Sequence, residues 1–214
     1  DDDIDLGSLA STGSVALSTN GTGGNASIVN ATVLDLAAST VGGNLVATAT
    51  TGNLTDSGTV TVGGTSTLTT SNTDDDIDLG TLSSTGAVTL TTAGTTGNAT
   101  IVNGIALDLA ASTVNGNLIA TATTGNLTDS GTVTVTGTTS LTTTAANAAI
   151  DLGTLASTGT VTLSTNGASG DASIVNATAL DLAASTVGGD LVATATIGNL
   201  TDSGTVTVGG TSTL

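Results

Sequence analysis

The sequence predicts an all-β fold built as a parallel β-solenoid, and three observations support this prediction. Apolar and polar residues alternate in short segments such as 59–62 and 88–91, which is the pattern of half-buried strands. Glycine pairs such as 42–43 and 63–64 separate these segments as turns. The pattern also repeats in tandem without insertion or deletion, as expected where each coil packs only on its neighbours.

The tandem repeat has a 73-residue period, because the segment Ile4 to Gly7 recurs from Ile77 and again from Ile150. Internal repetition at a fixed period is the signature of a stacked architecture. We therefore divide the chain into three copies of one continuous solenoid, residues 1–73, 74–146 and 147–214, of which the last is five residues short.

A weaker repeat lies inside each copy. From Asp35, an Asp recurs after 21, 22 and 30 residues, at Asp56, Asp78 and Asp108. These steps predict about three coils per copy, one with a longer loop at 20–25. Four coils of about 18 residues are the alternative, in which Ile28 and Val29 open a coil of their own.

The composition excludes most catalytic chemistry. The chain contains no Lys, Arg, His or Cys and no aromatic residue. A Ser or Thr nucleophile therefore lacks a base, and a transition metal lacks imidazole and thiolate ligands. Phosphates and bases find neither a cation nor a stacking partner. We expect a protein that is not an enzyme.

The net charge of −17 is not offset by any basic side chain. Such a chain is expected to repel nucleic acid and anionic membranes and to attract cations, above all Ca²⁺, which prefers oxygen ligands. No segment is long and apolar enough for membrane insertion. No signal peptide is visible, and the start at Asp1 without Met favours a processed protein or part of a longer one.

A family resemblance rests on three runs of sequence. The runs Asp35 to Leu45, Asn53 to Thr65 and Ile150 to Leu155 resemble the repeats of filamentous-haemagglutinin-like bacterial surface proteins, the giant adhesins built from β-strand repeats. The resemblance extends over all three copies. It implies a right-handed parallel β-helix, an extracellular or cell-surface location, and an adhesive or scaffolding role.

Two acidic runs are the candidate metal sites. Four carboxylates within five residues repel one another unless a cation bridges them, which predicts Ca²⁺ between coils or between molecules. The alternative is a solvated acidic turn that keeps the protein soluble, since the third copy has Asn147 and two alanines instead. The candidate ligands are Asp1, Asp2, Asp3, Asp5, Asp74, Asp75, Asp76 and Asp78.

A second set of Asp residues recurs once per proposed coil. Flanking aliphatics share the opposite face of each strand, so these Asp side chains are expected to face outward and could stack, at a cost in repulsion. The alternative is that they accept hydrogen bonds from local backbone N–H groups. The set comprises Asp5, Asp35, Asp56, Asp78, Asp108, Asp129, Asp151, Asp181 and Asp202.

Two further surface patterns stand out. Flat threonine arrays are typical of ice-binding solenoids, although outward Thr is also ordinary in strands. The Thr-x-Thr pairs are Thr48/Thr50, Thr59/Thr61, Thr132/Thr134, Thr194/Thr196 and Thr205/Thr207. Asn-Leu-Thr sequons, candidate glycosylation sites, begin at Asn53, Asn126 and Asn199, and further sequons begin at Asn25, Asn30, Asn98 and Asn176.

The sequence favours a structural role in an extracellular filament or surface fibre. Neither end shows the capping repeat that a solenoid needs, so we expect a longer repetitive chain or copies stacked head to tail. The alternatives are an adhesin shaft, whose binding domain lies outside this segment, and a calcium-dependent matrix or surface-layer protein. The expected partners are therefore further copies of the repeat and divalent cations.

Overall fold

A computed structural model describes all residues 1–214. The chain winds as a parallel β-solenoid of about ten coils with no helix, which confirms the predicted fold class. Every pairing between two strands is parallel, and the one antiparallel contact is an isolated bridge between Asp2 and Asn20. Accordingly, no helix is present that could cross a membrane.

The strands, numbered in chain order, form two sheets of 13 strands each. The first sheet contains β1 (Ile4–Leu9), β2 (Ala26–Asn30), β5 (Leu45–Ala49), β8 (Ser66–Thr73), β10 (Val88–Ala93), β12 (Leu107–Leu109), β13 (Ser112–Val114), β15 (Leu127–Asp129), β16 (Val133–Val135), β18 (Ile150–Ser157), β20 (Ala172–Asn176), β23 (Leu191–Ala195) and β26 (Ser212–Thr213). The second contains β3 (Leu34–Leu36), β4 (Ser39–Val41), β6 (Leu54–Asp56), β7 (Val60–Val62), β9 (Ile77–Ser84), β11 (Ala99–Asn103), β14 (Leu118–Ala122), β17 (Thr139–Ala146), β19 (Val161–Asn166), β21 (Leu180–Leu182), β22 (Ser185–Val187), β24 (Leu200–Asp202) and β25 (Val206–Val208).

Each 73-residue copy spans three and a half coils, between the predicted three and the alternative four. Ile4 pairs with Ala26, Ala26 with Leu45, and Leu45 with Ser66, which completes three coils on the first sheet. Ile77, the counterpart of Ile4, then lies half a coil later on the second sheet. Successive copies are therefore related by about half a turn around the rod axis and a rise of roughly 17 Å, at ~4.8 Å per coil.

The interior is filled by small and medium aliphatic side chains. Burial alternates along the strands, as in β3, where Leu34 and Leu36 are fully buried and Asp35 between them is not. One cluster of 42 buried residues runs through the rod. Because each coil covers its neighbours, stability is spread along the rod and is not concentrated in one centre.

Buried polar side chains complete the hydrogen bonding where the coil bends. The amide of Asn103, fully buried, accepts from Ser84 N at 2.8 Å and donates to Ser84 O at 3.0 Å. The hydroxyl of Ser112 accepts from Leu90 N at 3.0 Å, where β12 turns into β13. These side chains replace ladder bonds that the bent backbone cannot make, and unpaired backbone groups there would be costly.

Candidate functional site

The two acidic runs lie on opposite sides of the rod. Residues 1–3 precede β1 of the first sheet, whereas residues 74–76 precede β9 of the second sheet. This placement follows from the half-turn between successive copies. The two runs therefore cannot bind one cation within a single molecule.

Asp74 begins the second run in a left-handed backbone conformation, with φ of 64°. Its Oδ1 accepts from the backbone N–H groups of Thr95 and Thr96, both at 2.9 Å, across the corner of the next coil. These hydrogen bonds lower the pKa of the Asp74 carboxyl below its ordinary value. In the third copy, Asn147 has φ of 62° and accepts from Ser169 N at 3.0 Å. The turn thus needs a side-chain oxygen but no charge.

The other carboxylates of the second run point to different neighbours. Asp75 accepts from Gly52 N of the preceding coil at 2.5 Å, whereas Asp76 accepts from Asn98 N of the next coil at 2.7 Å. No group of three or more acidic side chains lies close enough together to bind a metal ion. A calcium site formed within one chain is therefore not assembled, and calcium between molecules stays a prediction.

The outward Asp residues do not stack on one another. Asp35 pairs with Thr55, and Thr55 pairs with Asp78, so a threonine separates the carboxylates. Asp56 lies beside Leu36, one position out of line. The stacking prediction fails because neighbouring coils differ in length: the step from Ala26 to its partner Leu45 is shorter than the step from Leu127 to its partner Ile150.

Asp56 and Asp129 instead close a β-bulge in the next coil. Asp129 accepts from Gly153 N at 2.9 Å, from Thr154 N at 2.8 Å and from the Thr154 hydroxyl at 2.8 Å. Asp56 accepts from Gly80 and Thr81 in the same way. This agrees with the alternative interpretation, that Asp carboxylates accept from backbone N–H groups. The spacing between Asp and its Gly-Thr partner was not apparent from the sequence, because it crosses from one copy to the next.

A third kind of Asp position is left with an unpaired oxygen. Leu-Asp-Leu strands present one carboxylate oxygen that is buried and has no hydrogen-bond partner, and the three copies share this feature at Asp35, Asp108 and Asp181. Its neighbour on the next coil is a threonine in each copy. A single oxygen beside a hydroxyl makes no multidentate site.

The Thr-x-Thr pairs do not form faces two residues wide. In each pair only one threonine lies in a strand, as Thr48 does in β5, and the other lies in the adjoining turn, as Thr50 does. Across coils, however, one column of outward threonines runs through five consecutive coils, at Thr48, Thr69, Thr91, Thr113 and Thr134. Ala156 interrupts the column. Ice binding stays a prediction.

The three Asn-Leu-Thr sequons are exposed. Asn53 and Asn126 use their side-chain oxygens to accept from Asp76 N at 2.9 Å and from Ala149 N at 3.0 Å. Asn199 is exposed on the last coil. Modification of these residues stays a prediction. In contrast, Asn30 and Asn176, which also begin sequons, are fully buried, so the folded protein cannot present them for glycosylation.

The two outermost coils expose aliphatic side chains. An apolar cleft of about 560 Å³ opens at the last coil, lined by Leu182, Leu191, Leu200, Val206, Val208 and Leu214. At the first coil, Leu6 is 39% exposed, whereas its counterparts Leu79 and Leu152 are fully buried. The backbone edges of β1 at one side and of β24 and β25 at the other have no neighbouring strand.

Comparison with protein families gives a match over residues 23–91, 96–164 and 169–214 to DUF5649, repeats of unknown function. The chain belongs to this family. The three matches begin at positions 23, 96 and 169, which reproduces the period read from the sequence. No curated protein and no solved structure matches the chain. The DUF5649 repeat thus forms three and a half coils of a parallel β-solenoid in this chain.

Proposed function

We propose that this chain is a structural segment of an extracellular filament or surface fibre. One observation carries the proposal: the junction between copies is the same wherever it occurs. β6 and β7 of the first copy receive β9 of the second through Leu54–Ile77 and Val60–Leu82. β15 and β16 receive β18 through the equivalent pairs, Leu127–Ile150 and Val133–Leu155. Copies can therefore be added without limit, which suits a fibre.

The chemistry of the surface supports a structural role over a catalytic one. The outward side chains are hydroxyls, amides and carboxylates, and the chain contains no basic side chain that could serve as a base or a phosphate clamp. The cleft with the most aliphatic lining lies at the edge of the last coil, where a further coil would stack. A secreted location is part of this proposal.

The finer identification, with filamentous-haemagglutinin-like surface proteins, is also a proposal. Its supports are the three runs of similar sequence and the parallel β-solenoid itself. In that case the chain is the shaft of an adhesin, and a binding domain lies elsewhere. The discriminating observation is a non-repetitive domain in the native protein, which a plain fibre does not require.

Electron microscopy of the native material, before and after EDTA, tests the proposal. Because copies alternate sides, identical faces return every two copies, or seven coils, so we expect a true axial repeat of roughly 34 Å with a pseudo-repeat of roughly 17 Å. Fibres that dissolve in EDTA support calcium between molecules, whereas indifferent fibres leave the structural role without calcium. Globular particles under both conditions contradict the proposed function.

A further inference from the structure

The first strand of the chain has the shape of a strand that covers two others inside the molecule. β1 (Ile4–Leu9) is the counterpart of β9 and β18, and it carries the same bulge, a register shift between Leu6 and Leu9. In β9 and β18 this bulge is closed by an Asp of the preceding coil. In β1, no side chain of this chain accepts from Gly7 or Ser8.

The complementary surface lies on the last coil. β24 and β25 are the counterparts of β6 and β7, which β9 covers, but they have no strand at their outer edge. Asp202 is the counterpart of Asp56 and Asp129, and its exposed carboxylate makes no hydrogen bond. The chain therefore holds an unused bulge at one side and an unused bulge-closing carboxylate at the other.

We infer that a second copy of this chain docks its β1 on β24 and β25, with Asp202 accepting hydrogen bonds from Gly7 and Ser8 of that copy. This inference rests on the proposed function and specifies the joint through which a fibre assembles. The register is fixed by the two internal junctions: Leu200 lies beside Ile4 of the second copy, Thr201 beside Asp5, and Val206 beside Leu9.

Burial inside the molecule supports the same joint. Leu54, Val60 and Val62, which β9 covers, are fully buried, whereas their counterparts Leu200, Val206 and Val208 are only partly buried. On the other partner, Ile77 and Leu82 are 1% exposed, and their counterparts Ile4 and Leu9 are again partly buried. Docking thus removes aliphatic surface on both partners from water, which favours association.

The joint leaves a gap rather than a clash. The segment that follows Leu68 in the first copy, residues 69–73, has no counterpart after Leu214. Five residues span up to about 17 Å, so space remains between Leu214 of one copy and Asp1 of the next. The main opposing force is repulsion between chains of charge −17, which salt screens. Assembly should therefore strengthen with ionic strength.

Disulfide cross-linking of the purified chain tests the register, because the chain has no cysteine of its own. Neighbouring parallel strands place paired Cα atoms within the range that a disulfide bridges. We expect a chain with Thr201→Cys and Asp5→Cys to form covalent linear oligomers under oxidation. Thr128→Cys with Asp151→Cys is the positive control, since this pair is adjacent inside the molecule. Thr207→Cys with Asp5→Cys is the negative control.

Sedimentation velocity over a concentration and salt series measures the strength of the joint. Asp202→Ala removes the acceptor of three hydrogen bonds, and we expect it to weaken self-association about tenfold or more. Asp151→Ala is the matched control, because it changes the charge equally and Asp151 makes no side-chain hydrogen bond. Equal weakening by both variants, or none by Asp202→Ala, overturns the joint.

A tandem fusion separates failure of the joint from failure of the proposed function. Two chains are linked by Thr-Thr-Ser-Asn-Thr, the sequence of residues 69–73, which restores the 73-residue register. If the single chain stays monomeric at all salt concentrations while the fusion forms one rod of double length, the joint is wrong and the fibre is made by longer chains. If the fusion forms two separate particles, the proposed function fails as well.

Discussion

The carboxylate of Asp129 holds the backbone N–H and the hydroxyl of Thr154 in the next coil, both at 2.8 Å. Because Thr154 lies in the bulge of β18, this contact fixes the register at the junction of two copies. The same contact joins Asp56 to Thr81 at the previous junction. An Asp in one copy thus specifies how the following copy is seated.

Replacement of Asp129 by Ala should loosen that junction. The change leaves the N–H groups of Gly153 and Thr154 without their acceptor, and we expect a local loss of about 1–2 kcal/mol. Hydrogen exchange should therefore accelerate at Gly153 and Thr154 and little elsewhere, since stability in a solenoid is local. Asp151→Ala, on the outer face of the same strand, should leave exchange unchanged. Equal acceleration in both variants would contradict the assigned role.

Substitution of a corner glycine should be far more costly than substitution of a bulge glycine. A Cβ on Gly137 would lie 2.6 Å from the carbonyl oxygen of Gly116 in the preceding coil, so the stacked corners must separate. We expect Gly137→Ala to cost about 1–3 kcal/mol in urea unfolding. Gly153→Ala is the control, because no atom lies within 4 Å of its Cβ position. Similar midpoints for the two variants would show that the corners can relax.

The buried amide of Asn103 should contribute more than an exposed amide of the same type. Asn103→Ala leaves the N–H and C=O of Ser84 unpaired in the interior, with an expected cost of about 2–4 kcal/mol. Asn126→Ala removes an exposed acceptor and should cost less than about 1 kcal/mol. Urea unfolding followed by circular dichroism measures both. A small effect at Asn103 would mean that water replaces its amide.

Truncation of a lumen leucine should leave a cavity. Leu90 is fully buried, and we expect Leu90→Ala to cost about 2–5 kcal/mol. Ile119→Ala removes a side chain that is 45% exposed and should cost much less. Thermal unfolding of the two variants checks the difference. Comparable losses would place the apolar contribution outside the lumen.

Acidification should release the loop that Asp74 holds. Since hydrogen bonds from Thr95 and Thr96 lower the pKa of Asp74, its contribution to stability is present above the ordinary pKa of 3.8 and is lost as pH falls through the lower value. We expect the amide resonances of Thr95 and Thr96 to shift with a midpoint below 3.8. Ser169, bound to the neutral Asn147, should not follow this titration. Asp74→Asn should abolish the shift and preserve the turn.

The sequence by itself determined the class of fold, the 73-residue period and the face of each strand. Alternation such as Leu34-Asp35-Leu36 places aliphatics inward whatever the coil count, because neighbouring side chains in a strand point to opposite faces. The period is a property of the letters alone. The absence of basic and aromatic side chains is equally plain without coordinates.

Only the tertiary structure decided which residues meet. The length of a coil depends on how each corner turns, so the step from one coil to the next varies along the rod and cannot be read from one period. That variation places Ile77 on the sheet opposite Ile4, separates the acidic runs and prevents Asp35 from stacking on Asp56. It also brings Asp129 to Thr154, because a contact across coils is set by stacking and not by distance along the chain.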